Sequence, residues 1–144
     1  MFGKVEGLEA AKPEEMKKFV VALIDTERER PQLIDTAGGL EEWRRLLQCQ
    51  IIDIQERYIE GRPFDFICDD EAGLKAGCKV SGLNKDLQPE LLGSLVICKC
   101  DDEGHEIGLN KEDIELLKRH ICILGLNEPQ EGRASQWAAI RDLE

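Results

Sequence analysis

Apolar and polar positions along the chain alternate with two different periods, and each change of period marks an element. The first apolar run, Lys18-Phe19-Val20-Val21-Ala22-Leu23-Ile24-Asp25, would fit a helical stripe through Met16, Phe19, Val20 and Leu23. Its compactness and adjacent valines fit a buried strand as well, and strand is the reading taken here. The charged stretch Thr26-Glu27-Arg28-Glu29-Arg30-Pro31 reads as a hairpin loop, with Gln32-Leu33-Ile34-Asp35 as the return strand. Leu40, Trp43 and Leu47 then share one helical face over residues 40–48. Acids come early in that segment and arginines late, as the helix dipole favours. Residues 51–58 alternate around Ile52, Ile54 and Tyr58 as a half-buried strand, Gly61-Arg62-Pro63 turns the chain, and 64–68 alternates again.

Residues 69–92 begin acidic, become rich in glycine and small side chains, and read as a long irregular excursion with a short helical turn around Pro89-Glu90-Leu91-Leu92. Gly93 to Cys100 is the most hydrophobic strand, and Asp101-Asp102-Glu103-Gly104 turns it. Asn110 caps a predicted helix from Lys111 to Leu124, with Asp113 at the third position as a weak capping box. Ile114, Leu117, Ile121 and Leu124 form its stripe, and Gly125 ends it. The pattern predicts an α+β domain over 18–126, in which a small mixed or antiparallel sheet carries two principal helices packed on one face. Its strands are 18–24, 51–58, 64–68 and 94–100. Residues 1–17 form a polar lead-in, ordered in part. Residues 127–144 form a tail around Trp137, either a short docked helix over 134–142 or loose chain.

Composition narrows the function classes. The chain has 144 residues, a size that supports a real core, and is 42% apolar and 34% charged, which argues against wholesale disorder. Its net charge of −11, from 30 acids against 19 bases, disfavours direct binding to nucleic acid or to anionic lipid. The first residues lack the apolar core of a signal peptide, and no apolar run is long enough to span a bilayer, so a cytoplasmic location is expected. Cys49, Cys68, Cys78, Cys98, Cys100 and Cys122 are then expected as free thiols, most of them small core residues.

Candidate chemistry is sparse. A zinc site would draw on Cys98, Cys100 and His105 with Cys68 or Cys78, but the C-x-C spacing is not that of structural zinc, and no metal or other cofactor is expected. A cysteine nucleophile would need His105 or His120 as its base, and neither stands in a known nucleophile context. His120 reads as a surface group near a helix C-terminus. Asp69-Asp70-Glu71 and Asp101-Asp102-Glu103-Gly104 do not have calcium-loop spacing, and Gly73, Gly77 and Gly82 match no phosphate loop. The remaining binding candidates are Asp69, Asp70, Asn84 and Lys85, in the 69–85 loop.

The order of motifs carries a resemblance. Gly39-Leu40-Glu41-Glu42-Trp43 through Leu47-Gln48 is followed by Phe66-Ile67-Cys68-Asp69-Asp70-Glu71-Ala72-Gly73-Leu74-Lys75 and Gly82-Leu83-Asn84-Lys85. Then come Gly93-Ser94-Leu95-Val96-Ile97, Asp101-Asp102-Glu103-Gly104 and Gly108-Leu109-Asn110-Lys111-Glu112-Asp113-Ile114. Over about residues 18–122 this resembles a family of small uncharacterised proteins of phages, plasmids and conjugative elements of gut Firmicutes, known only as a domain of unknown function. That family tends to show Asn-Arg after a Leu-Pro segment, whereas this chain reads Lys79-Val80-Ser81-Gly82-Leu83-Asn84-Lys85, without proline and with lysine for arginine. The resemblance brings no catalytic residues. It implies context rather than mechanism; together with the missing active-site constellation and the acidic surface it leads to the expectation of a non-enzymatic accessory protein of a mobile element that binds an unidentified protein partner, its oligomeric state left open. Two other readings stand beside it: an acidic DNA mimic that inhibits a restriction or defence protein, and a small-molecule-binding protein or enzyme using the 69–85 loop.

Overall fold

The computed structural model describes residues 17–126 and 135–144. The lead-in expected over 1–17 lies outside them except for Lys17, as does the 127–134 part of the expected tail. The described residues form ten strands and two α-helices, an α+β arrangement in which strands predominate.

Strands β1 (Phe19–Ile24) and β2 (Gln32–Thr36) make an antiparallel hairpin with Phe19 opposite Thr36. Helix α1 (Leu40–Leu47) follows; Trp43 and Leu47 are buried, while Leu40, expected on the same face, stays exposed. β3 (Ile52–Ile59) and β4 (Arg62–Asp69) are joined through Glu60 and Gly61, both in the left-handed region at φ 50° and 78°. A two-residue turn with both φ values positive has the twist a hairpin needs. β5 (Val80–Asn84), β6 (Pro89–Leu92), β7 (Leu95–Cys100) and β8 (Glu106–Ile107) come next. Helix α2 (Lys111–His120), β9 (Ile121–Gly125) and β10 (Gln136–Leu143) complete the order.

These strands form two sheets. The first has the order β2-β1-β7-β4-β3, antiparallel throughout, with β8 added to β7 at Lys99 and Cys100. The second has the order β6-β5-β10-β9 and is mixed, because β10 runs parallel to β5. At β3 the sheets meet: Tyr58 N–H donates to the Glu144 carbonyl at 2.9 Å, and Glu144 N–H donates to the Tyr58 carbonyl at 2.8 Å.

Strand alternation divides the first sheet into two buried faces. Ala22, Ile24, Phe64, Phe66, Leu95 and Ile97 point inward, against Leu91, Ala138, Ile140 and Leu143 of the second sheet and Leu116 and Leu117 of α2. Val21, Leu23, Ile67, Val96 and Cys98 point outward and lie under Trp43 and Leu47 of α1. The expected single small sheet with both helices on one face is therefore corrected. There are two sheets, and the helices lie on opposite faces of the first.

Three further expectations change. The predicted helix over 111–124 stops at His120, and Ile121 to Gly125 extend as β9, because this segment, with β-branched Ile121 and Ile123, pairs with β10. The 69–92 excursion contains the β5–β6 hairpin, with strand rather than helical turn at Pro89–Leu92 and a 3-10 turn at Ala72–Leu74. Residues 136–143, expected to be docked helix or loose, form β10 in the middle of the second sheet, with Ala138, Ala139 and Ile140 fully buried.

Helix α2 is anchored at its start. Asp113 N–H donates to the Asn110 side-chain oxygen and Asn110 N–H donates to the Asp113 carboxylate, both at 2.8 Å, a complete capping box. The buried Asp113 also meets Lys99 Nζ of β7 at 2.8 Å and Arg62 Nη1 of β4 at 3.2 Å. Asp113→Ala removes the cap and the buried partner of Lys99, while Arg62 keeps Glu112, and is expected to cost about 2–3 kcal/mol in urea denaturation. Ile140→Ala opens the core where the two sheets touch and is expected to cost about 2–5 kcal/mol, with the denaturant slope unchanged.

Candidate functional site

The four binding candidates of the 69–85 loop are not brought together. Asp69 ends β4, accepts from Glu71 N–H at 2.9 Å and pairs with Lys75 across the 3-10 turn. Asp70 is exposed, and its N–H donates to the Ile51 carbonyl at 2.9 Å. Asn84 lies at the far end of β5, where its side-chain oxygen accepts from the N–H groups of Asp86 and Gln88, both at 2.9 Å, and so shapes the β5–β6 turn. Lys85 pairs with Glu144 at 3.0 Å. Asp69 and Asp70 border a hollow of about 160 Å³ with Asp53 and Glu90, and Asp69 borders a second of about 280 Å³ with Lys75 and Lys79; Asn84 and Lys85 line neither. Lys79 is itself a strut. Its ammonium reaches the Thr26 carbonyl at 3.2 Å and the Glu27 carboxylate at 3.0 Å, and lies 5.2 Å from the centre of the Trp137 ring.

The metal candidates do not converge either. Cys98 is fully buried under α1, Cys100 is exposed at the strand end, and His105 faces its own turn, 3.3 Å from Asp101 and 3.6 Å from Glu103. Among the described residues no group of three His, Cys, Asp or Glu side chains is placed to hold a metal ion. All six cysteines are free, and each thiol is held above its ordinary pKa, first by burial; Cys68 is pushed up to about 11 by burial and then by the nearby Asp53, Asp69 and Asp70. A thiol so shifted is a poor nucleophile near neutral pH. His120, expected as a surface group, is largely buried and bridges Glu60 at 2.6 Å and Asp142 at 2.8 Å, tying the β3–β4 turn to β10.

The structure instead assembles a strip that lies outside those candidates. On the outer face of the first sheet, α1 covers β1, β7 and the inner part of β4 and reaches Ile52 at the start of β3, but leaves β3 open from Ile54 to Tyr58. Ile54 is 50% exposed and Tyr58 41% exposed on that face. Between them Glu56 stands directly opposite Asp65, and Asp65 stands opposite Cys98. Glu106, paired with Cys100 in β8, extends the row and accepts from Trp43 Nε1 at 2.7 Å.

Burial raises the Asp65 carboxyl above its usual value; a hydrogen bond with Cys100 offsets part of this, and Glu56 adds to the rise. Burial likewise raises Glu106, offset by Trp43 and reinforced by Asp65. Among the described residues no basic side chain offsets either carboxylate. Like charges directly opposite one another in a sheet are destabilising. The strip thus combines exposed apolar side chains with uncompensated negative charge, a surface suited to contact with a cationic partner rather than to bond-making chemistry.

The sequence pattern held the signal for this strip in an inverted form. Ile52, Ile54 and Tyr58 read as the buried face of β3, yet Glu56 belongs to the same alternation. The inward face is that of Asp53, Gln55, Arg57 and Ile59, with Arg57 reaching Glu90 of β6 at 3.4 Å.

Fold and strip together define a strand-dominated α+β domain whose principal sheet is covered over most of one face and over part of the other. The chain belongs to the family described as a domain of unknown function (DUF3846), whose model matches residues 16–121. β10 and nearly all of β9 lie beyond the matched segment. No curated protein and no solved structure matches the chain. No helix among the described residues is long and apolar enough to cross a membrane.

The raised carboxyls give the strip a pH signature. A carboxyl whose native pKa lies above its unfolded value binds its proton more tightly when folded. Its favourable contribution is present below the unfolded pKa and is lost as pH rises through the native one. At neutral pH the strip therefore opposes folding. Asp65→Asn is expected to raise stability by about 0.5–1 kcal/mol at neutral pH, and the gain shrinks as pH falls towards about 4, measured by thermal melts across that range.

Proposed function

We propose that this chain is a non-enzymatic accessory protein of a mobile genetic element, acting by protein–protein interaction through the half-covered outer face of its first sheet. The observation that carries the reading is the strip of Ile54, Glu56, Tyr58 and Asp65, in which exposed apolar groups flank carboxylates with no cation beside them. A partner presenting Lys or Arg around an apolar centre would cover Ile54 and Tyr58 and relieve the Glu56–Asp65 repulsion. The mobile-element setting is supported by the order of sequence motifs from Gly39 to Ile114.

The DNA-mimic reading has less behind it, because acids elsewhere on the described surface are interleaved with bases. Glu41 pairs with Arg44, Glu42 with Arg45, Glu112 with Arg62 and Glu60 with Arg119. A phosphate mimic would need runs of one sign. The small-molecule reading of the 69–85 loop is weakened by the separation of Asn84 and Lys85 from the hollows beside Asp69.

The test is capture of partners by the tagged full chain from nuclease-treated host lysate, beside the double variant Ile54→Lys/Glu56→Lys, whose changes fall on exposed positions and spare the core. The expected result is a stoichiometric protein retained by the native chain, lost by the variant and unmoved by added duplex DNA. Displacement by duplex DNA would favour the mimic reading instead. A partner retained equally by the variant, or no partner, would overturn the assignment to this face.

A further inference from the structure

The two sheets are joined at β3, the edge of the first sheet opposite β2, and β9 edges the second sheet. Leu33 lies opposite Ala22 in the hairpin register and so belongs to the inward face, yet it is 55% exposed. Ile123, opposite the fully buried Ala138 in β9–β10, is 48% exposed on the corresponding face of the second sheet. Behind Leu33 lies a hollow of about 190 Å³, walled by Ala22, Ile24 and Ile97 of the first sheet and by Ile114, Leu117 and Ile121 of α2 and the start of β9. Pro31 and Lys118 complete its lining, and Lys118 is the one polar residue in it. Lys118 is exposed and has no ion-pair partner among the described residues.

A close-packed interior leaves few voids larger than a water molecule, and water does not settle stably where it finds fewer than two polar partners. An apolar cavity of about 150 Å³ is known to take benzene, whereas drug-sized ligands need about 300–1,000 Å³. The hollow therefore fits one ring or a short branched chain, and is too small for a long acyl chain. The unpaired ammonium of Lys118 adds a preference for an anion tethered to that apolar group.

We propose that this hollow is a binding site for a small amphipathic carboxylate, its apolar ring or chain seated between the first sheet and α2 and its carboxylate on Lys118. The site is separate from the outer strip and does not rest on the protein-interaction reading.

The experiment is methyl NMR of the full chain titrated with 3-phenylpropionate and, separately, with 3-phenylpropan-1-ol, which has the same ring and no charge. The expected result is a set of saturable shifts confined to Leu33, Ile114, Leu117 and Ile121, with the alcohol binding about two- to five-fold more weakly than the acid, the ratio an exposed ion pair is worth. Lys118→Gln, a surface change that leaves the walls intact, is expected to abolish the difference while leaving alcohol binding as it was. The proposal is overturned if no shift saturates by about 10 mM, where only trivial affinity would remain. Shifts centred elsewhere, or an acid preference that survives Lys118→Gln, would also overturn it. Broadening of these methyls that grows with protein concentration in the absence of probe would assign the face to a second copy of the chain and reject the ligand.

Discussion

The inner face of the first sheet loses the middle of its cover without β10, which supplies Ala138, Ile140 and Leu143 beside Leu91 of β6 and Leu116 and Leu117 of α2. Phe64, Phe66, Leu95 and Ile97 are all at or near full burial, and they face Ala138 and Ile140 of that strand. Burial of each such side chain is worth about 1.5–3 kcal/mol, so the four together match the net stability of a typical domain. β10 is in turn fixed by more than packing. Trp137 Nε1 donates to the Val80 carbonyl at 2.8 Å, Ala138 N–H donates to the Arg28 carbonyl at 2.8 Å, and the last residue pairs with Tyr58. Lys79 then lies over the Trp137 ring, which accounts for a lysine that is almost wholly buried away from any reactive pocket.

The outer face follows a different rule, set by size. An eight-residue helix is about 12 Å long, while five strands about 4.8 Å apart spread over about 19 Å. α1 cannot shield the whole face, and it settles where the sheet is most apolar, over Val21, Leu23, Val96 and Cys98. What remains open is β3 beyond Ile52, where the apolar alternation is broken by Glu56. The Glu56–Asp65 juxtaposition is a local conflict in an otherwise consistent fold, and such conflicts concentrate where a protein does something other than fold.

The elements legible in the sequence were those whose cause is local. The helix at 40–47 announces itself by Trp43, Leu47 and its charge gradient, and Asn110 and Asp113 mark the start of α2 within four residues. The rest depended on partners distant in sequence. Ile121 to Gly125 continue a helical stripe by period, and only pairing with Gln136–Ile140 draws them into a strand. β10 itself has two alanines and no strict alternation, so nothing local distinguishes it from a docked helix. The sides of β3 were inverted because the face that looks apolar is one that α1 reaches only at Ile52. For the candidate site, the acidic residues of 69–70 and the Asn84-Lys85 pair drew attention by residue type, while Asp65 and Glu106, which lie within ordinary strand patterns, acquire meaning only through the register.

The parallel pairing of β5 with β10 slows the assembly of this chain. Gly82 must find Ile140 across β6, β7, β8, α2 and β9, which lie between them in sequence. Closing so long a loop costs entropy before any contact rewards it, and sheets built on such non-local pairings form slowly. The hairpins β1–β2 and β3–β4, by contrast, can form from neighbouring residues alone. The first sheet itself closes across a wider gap still, Ala22 of β1 meeting Ile97 of β7, so a refolding chain is expected to hold the two hairpins early and to gather both sheets slowly, with Phe64 and Phe66 bare until it does.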